Sequence, residues 1–163
     1  WAMAVDMFLD IDGEIGGESQ DKTHAGTIDV LAWSWGVSQS GSFHTGGGGG
    51  AGKANFQDIS VTKWIDKSTP VLMLYCSNGD HFKSAKLYVR KAGKKPLEYI
   101  VIEMKKVLIT SVSTGGSGGE DKLTENVTLN FAAVQVKYKE QKEDGSGGAE
   151  KIYTWDISQN TGQ

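Results

Sequence analysis

Cysteine is all but missing from this chain: Cys76 stands alone among 163 residues, so no intrachain disulfide can staple the fold. A buried, inert thiol in an apolar run is the expectation for it. Neither sign of charge dominates, since 17 Lys and Arg against 20 Asp and Glu leave a net charge of −3. That argues against nucleic acid as the main partner, because phosphate binding wants a concentrated cationic surface. The short basic run Lys91, Lys94 and Lys95 reads as a charged hairpin end. Long apolar runs are missing too, so no membrane span is expected. The opening WAMAVDMF has neither a basic leader nor an apolar segment of signal-peptide length. Met3 reads as the natural start, with Trp1 and Ala2 as additions to it. Residues 3–160 are then expected to form a single domain, long enough to bury a full core.

Recognisable chemistry is equally sparse. His24, His44 and His81 fall in three separate connections without a metal-ligand spacing between them, and read as solvent-exposed loop residues. The carboxylate pairs Glu120–Asp121 and Glu143–Asp144 sit beside glycine-rich turns, where nothing would exclude water or raise a pKa. Gly47 to Lys53 resembles a phosphate loop, but Ala54 stands where a Ser or Thr would hold magnesium, and the loop joins strand to strand, so no helix N-terminus faces a phosphate. Asn126, Val127 and Thr128 spell a glycosylation sequon inside a strand pattern, where chance accounts for it. No catalytic residue, metal site or cofactor is expected.

What is present is two-residue alternation punctuated by glycine. Val5, Met7, Leu9 and Ile11 form one apolar face of a strand over Ala4 to Asp12. Thr27 to Ser40 reads as the next strand, with Leu31, Trp33, Trp35 and Val37 on a bulky face and Val30, Ala32, Ser34 and Gly36 on a small one. Two tryptophans bury a large area, so the bulky face is assigned to the core. Gly41 to Lys53 is long for a hairpin loop. Ile59, Val61 and Ile65 mark another strand, and Ala85 to Lys91 a further one. Leu97 to Val112 is long and apolar on both faces, with Tyr99, Val101, Val107 and Ile109 opposite Ile100, Ile102, Met104 and Leu108. Such a strand asks for burial by a partner chain as well as by the core. From Leu123 to Lys139 the apolar phase shifts after Phe131, which a β-bulge at Ala132 and Ala133 would explain. A last strand is expected over Lys151 to Ile157.

One stretch interrupts the alternation. Ser68 or Thr69 suits a helix N-cap, Pro70 a first helical position, and Ser77, Asn78 and Gly79 a stop. Two turns between them cannot stand alone and must lie against a sheet. The fold class expected is mainly β: a β-barrel of two packed antiparallel sheets with one short flanking helix.

Three stretches carry a family resemblance: IDVLAWSWGVSQSG (Ile28 to Gly41), DKSTP (Asp66 to Pro70) and SVSTGGSGGEDKLTENVTLNF (Ser111 to Phe131). Together they resemble the haemolysin-coregulated protein (Hcp) family, the tube protein of bacterial type VI secretion. The resemblance implies a homohexameric ring, rings stacking on one another into a tube, and partners in a spike protein, a contractile sheath and small secreted effectors. It implies cytoplasmic assembly followed by secretion without a cleaved signal peptide, and no enzymatic activity. Within that frame the small face, Val30, Ala32 and Ser34, is expected to line the lumen and meet effectors. The glycine loop, with Ser42, Phe43, His44, Thr45, Gly46, Gly47 and Gly48, is expected to contact the next ring. A phage tail-tube protein and a monomeric lipocalin-like carrier are the competing readings; a carrier needs an apolar cavity inside its own barrel.

Overall fold

The computed structural model describes residues 5–12, 15–41, 53–93 and 96–162. The loop residues Ser42, Phe43, His44, Thr45, Gly46, Gly47 and Gly48 lie outside them. The strands are β1 (Val5–Ile11), β2 (Ile28–Ser34), β3 (Val37–Ser38), β4 (Asn55–Phe56), β5 (Ile59–Trp64), β6 (His81–Lys91), β7 (Leu97–Thr114), β8 (Thr124–Gln141), β9 (Gly147–Asp156) and β10 (Thr161–Gly162), with one helix, α1 (Ser68–Asn78). Strands β8, β5, β2, β1, β6 and β7 pair in that order, all antiparallel, and β7 pairs with β8 to close a barrel. Strands β9 and β10 extend the sheet from the second half of β8, and β3 pairs with β4 as a small separate ribbon. The mainly-β barrel with a single helix is the architecture the alternation called for.

Side chains fill the barrel. Leu9, Ile28, Ile59, Leu72, Leu87, Ile102, Met104, Ile109 and Leu129 are among the fully enclosed ones. At roughly 25 cal/mol per Å² of apolar surface removed from water, this cluster supplies the main stabilising term.

Two long-strand expectations need correction. On β7 the buried residues are Ile102 and Met104, then Val107 and Ile109, so the inward set steps by three instead of two. The neighbours step at the same level, Ala85 to Phe82 on β6 and Val134 to Phe131 on β8. Lys106, at φ 54°, sits in the middle of this step. The register is unchanged across it, with Lys105 opposite Ala133 and Val107 opposite Phe131. The phase change in β8 therefore does fall at Ala132 and Ala133, but a coherent turn of three strands makes it, without an inserted residue in β8. The apparent two-faced apolarity of β7 is mostly one core face that changes phase.

The second correction concerns β2. Its register shifts between Val30 and Ala32. Before the shift Ile28 and Val30 face the core; after it Trp33 and Trp35 pack against the core. Leu31, assigned to the core from its alternation, is 39% exposed, and Val30, assigned to the small open face, is 6% exposed. One bulge exchanges them, because every residue beyond it changes sides.

The helix begins earlier than the Pro70 start suggests. Ser68 and Thr69 are inside it, and neither caps it through its own side chain. Asp66 Oδ1 instead accepts from the Ser68 amide (2.8 Å) and the Ser68 hydroxyl, while Thr69 Oγ1 accepts from the Asp66 amide (3.1 Å). Gly79 ends the helix as expected, at φ 73°, with its amide bonded to Tyr75 O. Leu72 is fully buried, Val71, Tyr75 and Cys76 pack half-buried against the core, and Met73 and Leu74 look outward. The thiol of Cys76 is thus a half-buried packing atom.

Candidate functional site

The residues DKSTP and LTEN, far apart in the chain, meet at one point inside the barrel. Alternation along β5 sends Ile59, Val61 and then Lys63 inward, and Lys63 is fully buried. It stands directly across the ladder from Glu125. Lys63 Nζ donates to Glu125 Oε2, to Asp66 Oδ1 (3.1 Å) and to the Trp64 carbonyl (2.8 Å), which uses all three of its protons. Thr69 Oγ1 donates to Glu125 Oε2 at 2.7 Å. Burying these charges is tolerable only because each is paired. The cluster fastens the first turn of α1 to β5 and β8. Ile65, expected inside, is 38% exposed, because β5 ends at Trp64. The alternation showed the inward position of residue 63, but lysine at that place gave no apolar signal to mark it.

On the opposite side of the same strands lies a small, polar wall. Ladder partners form two complete rows across β2, β5, β8 and β7. One is Ala32, Thr62, Asn126 and Ser113, and the other Ser34, Ser60, Thr128 and Ser111. Neither row contains a charge or a large side chain. Thr62 Oγ1 donates to Asn126 Oδ1 (2.9 Å), and the hydroxyls of Ser111 and Thr110 each lie within hydrogen-bond distance of Thr128 Oγ1 (2.6 and 2.7 Å). Ala32 and Ser34 are exposed. The structure thus brings two of the three proposed lumen residues onto one open surface and leaves Val30 in the core. Thr62, Asn126, Thr128, Ser60, Ser111 and Ser113 join them; their alternation with Val61, Val127 and Val112 was the signal that could have found them. Among the described residues, the wall's outer strands are paired on one side only: β2 has no β1 partner beyond Val30, and β7 no β6 partner beyond Leu108.

A third cluster faces outward from β1, β6 and β7. His24 is no free loop residue: its ring stacks on Phe8 (centroids 4.6 Å apart) and against Tyr88 (4.5 Å), and its Nε2 meets Glu98 Oε1. Arg90 lies over the Phe8 ring at 5.1 Å and bonds Asp21 through both terminal nitrogens (2.6 and 2.9 Å) and Asp6 through one (3.2 Å). The Arg90 fork, helped by Thr23 and the His24 amide, holds the Asp21 carboxyl well below its ordinary range, and Asp21 in turn holds Arg90 above its own. Burial, then the charges of Asp10, Glu98 and Glu103, pushes the Tyr88 phenol up. Together these contacts latch the segment 15–27 onto the barrel. His81 is exposed at the head of β6. Among the described residues no group of His, Cys, Asp and Glu could hold a metal ion, and no helix is long and apolar enough to cross a membrane.

A family model described as "Type VI secretion system effector, Hcp" matches residues 8–138. Protein hcp1 of Pseudomonas aeruginosa is 66% identical over 161 residues, covering 97% of this chain and 98% of that protein. A solved structure described as a type six secretion system protein superposes with a TM-score of 0.92 at 25% identity, over 98% of this chain and 100% of the other. Hcp1 from Salmonella typhimurium superposes with a TM-score of 0.82 at 35% identity, over 99% of this chain and 100% of the other.

Proposed function

Because the chain belongs to the Hcp family, the structural and secreted tube proteins of type VI secretion, we propose that six copies close into a ring whose lumen is lined by the wall carrying Ala32 and Ser34. The wall itself is the observation that carries this reading. Two rows without a large apolar side chain have no reason to be covered by a partner, whereas the wall's two half-paired end strands do. Joining the β2 edge of one copy to the β7 edge of the next continues the wall around a closed ring and satisfies both rows of backbone groups. Small hydroxyl and amide side chains leave space for a passenger and can donate or accept toward it. The spike protein, the sheath and small effectors are the partners this function calls for, with assembly in the cytoplasm before export. Stacking is assigned to the loop Gly41 to Gly52 on its sequence alone. Glycine-rich chain loses much entropy on docking, so stacking through it is weak and depends on concentration.

Sedimentation at micromolar concentration tests the ring: a species of six chain masses is expected, and a stable monomer overturns it. Ser34→Gln tests the lumen. It should leave the ring intact, since no core atom changes, and lower the effector level in a pull-down. A lost ring would place Ser34 in an interface instead. Deleting Thr45 to Ala51 should leave rings whole and reduce secretion. A carrier function is disfavoured by the barrel interior, which among the described residues is packed with Leu, Ile, Val and Met side chains.

A further inference from the structure

The wall is neutral in two rows and not in the third. Asp58 immediately precedes β5 and shares the parity of Ser60 and Thr62, so it points to the wall side. Its Oδ2 accepts from Thr110 Oγ1 at 2.7 Å and its Oδ1 from Asn130 Nδ2 at 2.8 Å. Both donors are uncharged, so they fix the carboxylate in place across β8 and β7 without offsetting its charge. Among the described residues Asp58 forms no ion pair, although the chain forms several elsewhere. It is half-buried, so solvent reaches it while its direction stays set.

We propose that Asp58 sets the charge preference of the lumen, favouring passengers that present a cationic surface at that row and opposing acidic ones. This rests on the wall being luminal. In a ring the carboxylate recurs once per copy, at one level of a channel where the Ser, Thr and Asn rows on one side of it carry nothing to cancel it. Like charges gathered in a cleft with low-dielectric walls add their fields. The Ser, Thr and Asn rows bond equally to donors and acceptors, so they select by shape, and Asp58 is where the sign of a passenger's charge is read.

The test titrates purified rings with fluorescent decalysine and decaglutamate at low ionic strength, using the parent, Asp58→Asn, Asp58→Glu and Ser34→Gln. Asp58→Asn keeps the side chain's shape and should weaken decalysine at least about threefold, with the difference lost at about 0.5 M salt, where the screening length is only a few ångströms. Decaglutamate should bind the same variant better than it binds the parent. Asp58→Glu keeps the charge and should bind decalysine like the parent. If it behaves like Asp58→Asn, packing is responsible and the proposal falls. Should Ser34→Gln weaken decalysine while Asp58→Asn does not, the wall is luminal and the charge preference is wrong. When neither changes binding, the luminal reading fails and takes the proposal with it. Rings lost in Asp58→Asn would place the carboxylate in an interface, which also overturns it.

Discussion

Lys63 shows how much one side chain can be asked to hold. Its ammonium is fully buried and its three protons go to Glu125, Asp66 and the Trp64 carbonyl. Lys63→Met would leave two carboxylates without their cation, and breaking a buried pair in this way costs about 3–5 kcal/mol. Urea unfolding at one protomer concentration should show that loss. The double variant Lys63→Met with Glu125→Leu should recover part of it, because the buried charge then disappears with its partner. A second residue-scale prediction concerns Asp21. Its carboxyl is held below the ordinary range chiefly by Arg90, so its contribution is complete above the unfolded carboxylate pKa and is lost as pH falls toward the lower folded value. Asp21→Asn should therefore be less stable than the parent near neutral pH and lose less on acidification to about pH 3. Parallel stability curves for the two proteins would separate Asp21 from the acid response.

At the scale of elements, two glycines mark where backbone geometry is demanded. Gly79 closes α1 in the left-handed region at φ 73°, with open space around any added Cβ. Gly79→Ala should then cost only the backbone term, about 1 kcal/mol. Gly17 is different: a Cβ there would stand 2.3 Å from the Thr27 carbonyl oxygen, in a segment tied by Gly17 N to Gly26 O (2.9 Å) and Ser19 N to Thr27 O (3.0 Å). Gly17→Ala has to push backbone aside, and overpacking of that kind costs about 1–3 kcal/mol. Thermal unfolding of the two variants should rank them in that order, and hydrogen exchange should show the Gly17 change opening the 15–27 segment first. The stop at Gly79 was readable because glycine is needed there for its own conformation. The start was not, because Asp66 does the capping from outside the helix and answers to Lys63 as well.

At the scale of the whole molecule, the barrel and the wall are two faces of the same strands. Lys63 and Glu125 close the core side of the β5–β8 pairing, while Thr62 and Asn126, their neighbours in sequence, meet on the wall. A ring therefore depends on the same ladder that folds the monomer. Lys63→Met should accordingly lower the yield of six-chain rings along with stability, whereas Ser34→Gln should change neither. Sedimentation of both variants beside the parent checks this, and rings that persist in an unfolding-prone Lys63→Met would uncouple the two.

Alternation and glycine by themselves determined that the chain is mainly β, that one helix ends at Gly79, and that long strands run near residues 97–112 and 123–139. These are local properties, set by which residues suit an extended, half-buried backbone. Which face each residue presents was decided by the tertiary structure. Val30 and Leu31 exchange sides because β2 shifts register against β5, and the inward set of β7 steps at Lys106 together with those of β6 and β8. A two-residue repeat records only relative parity along a strand. Where that parity is reset depends on the neighbouring strands, and a lysine enters the core only when folding brings it carboxylates from 3 and 62 residues away.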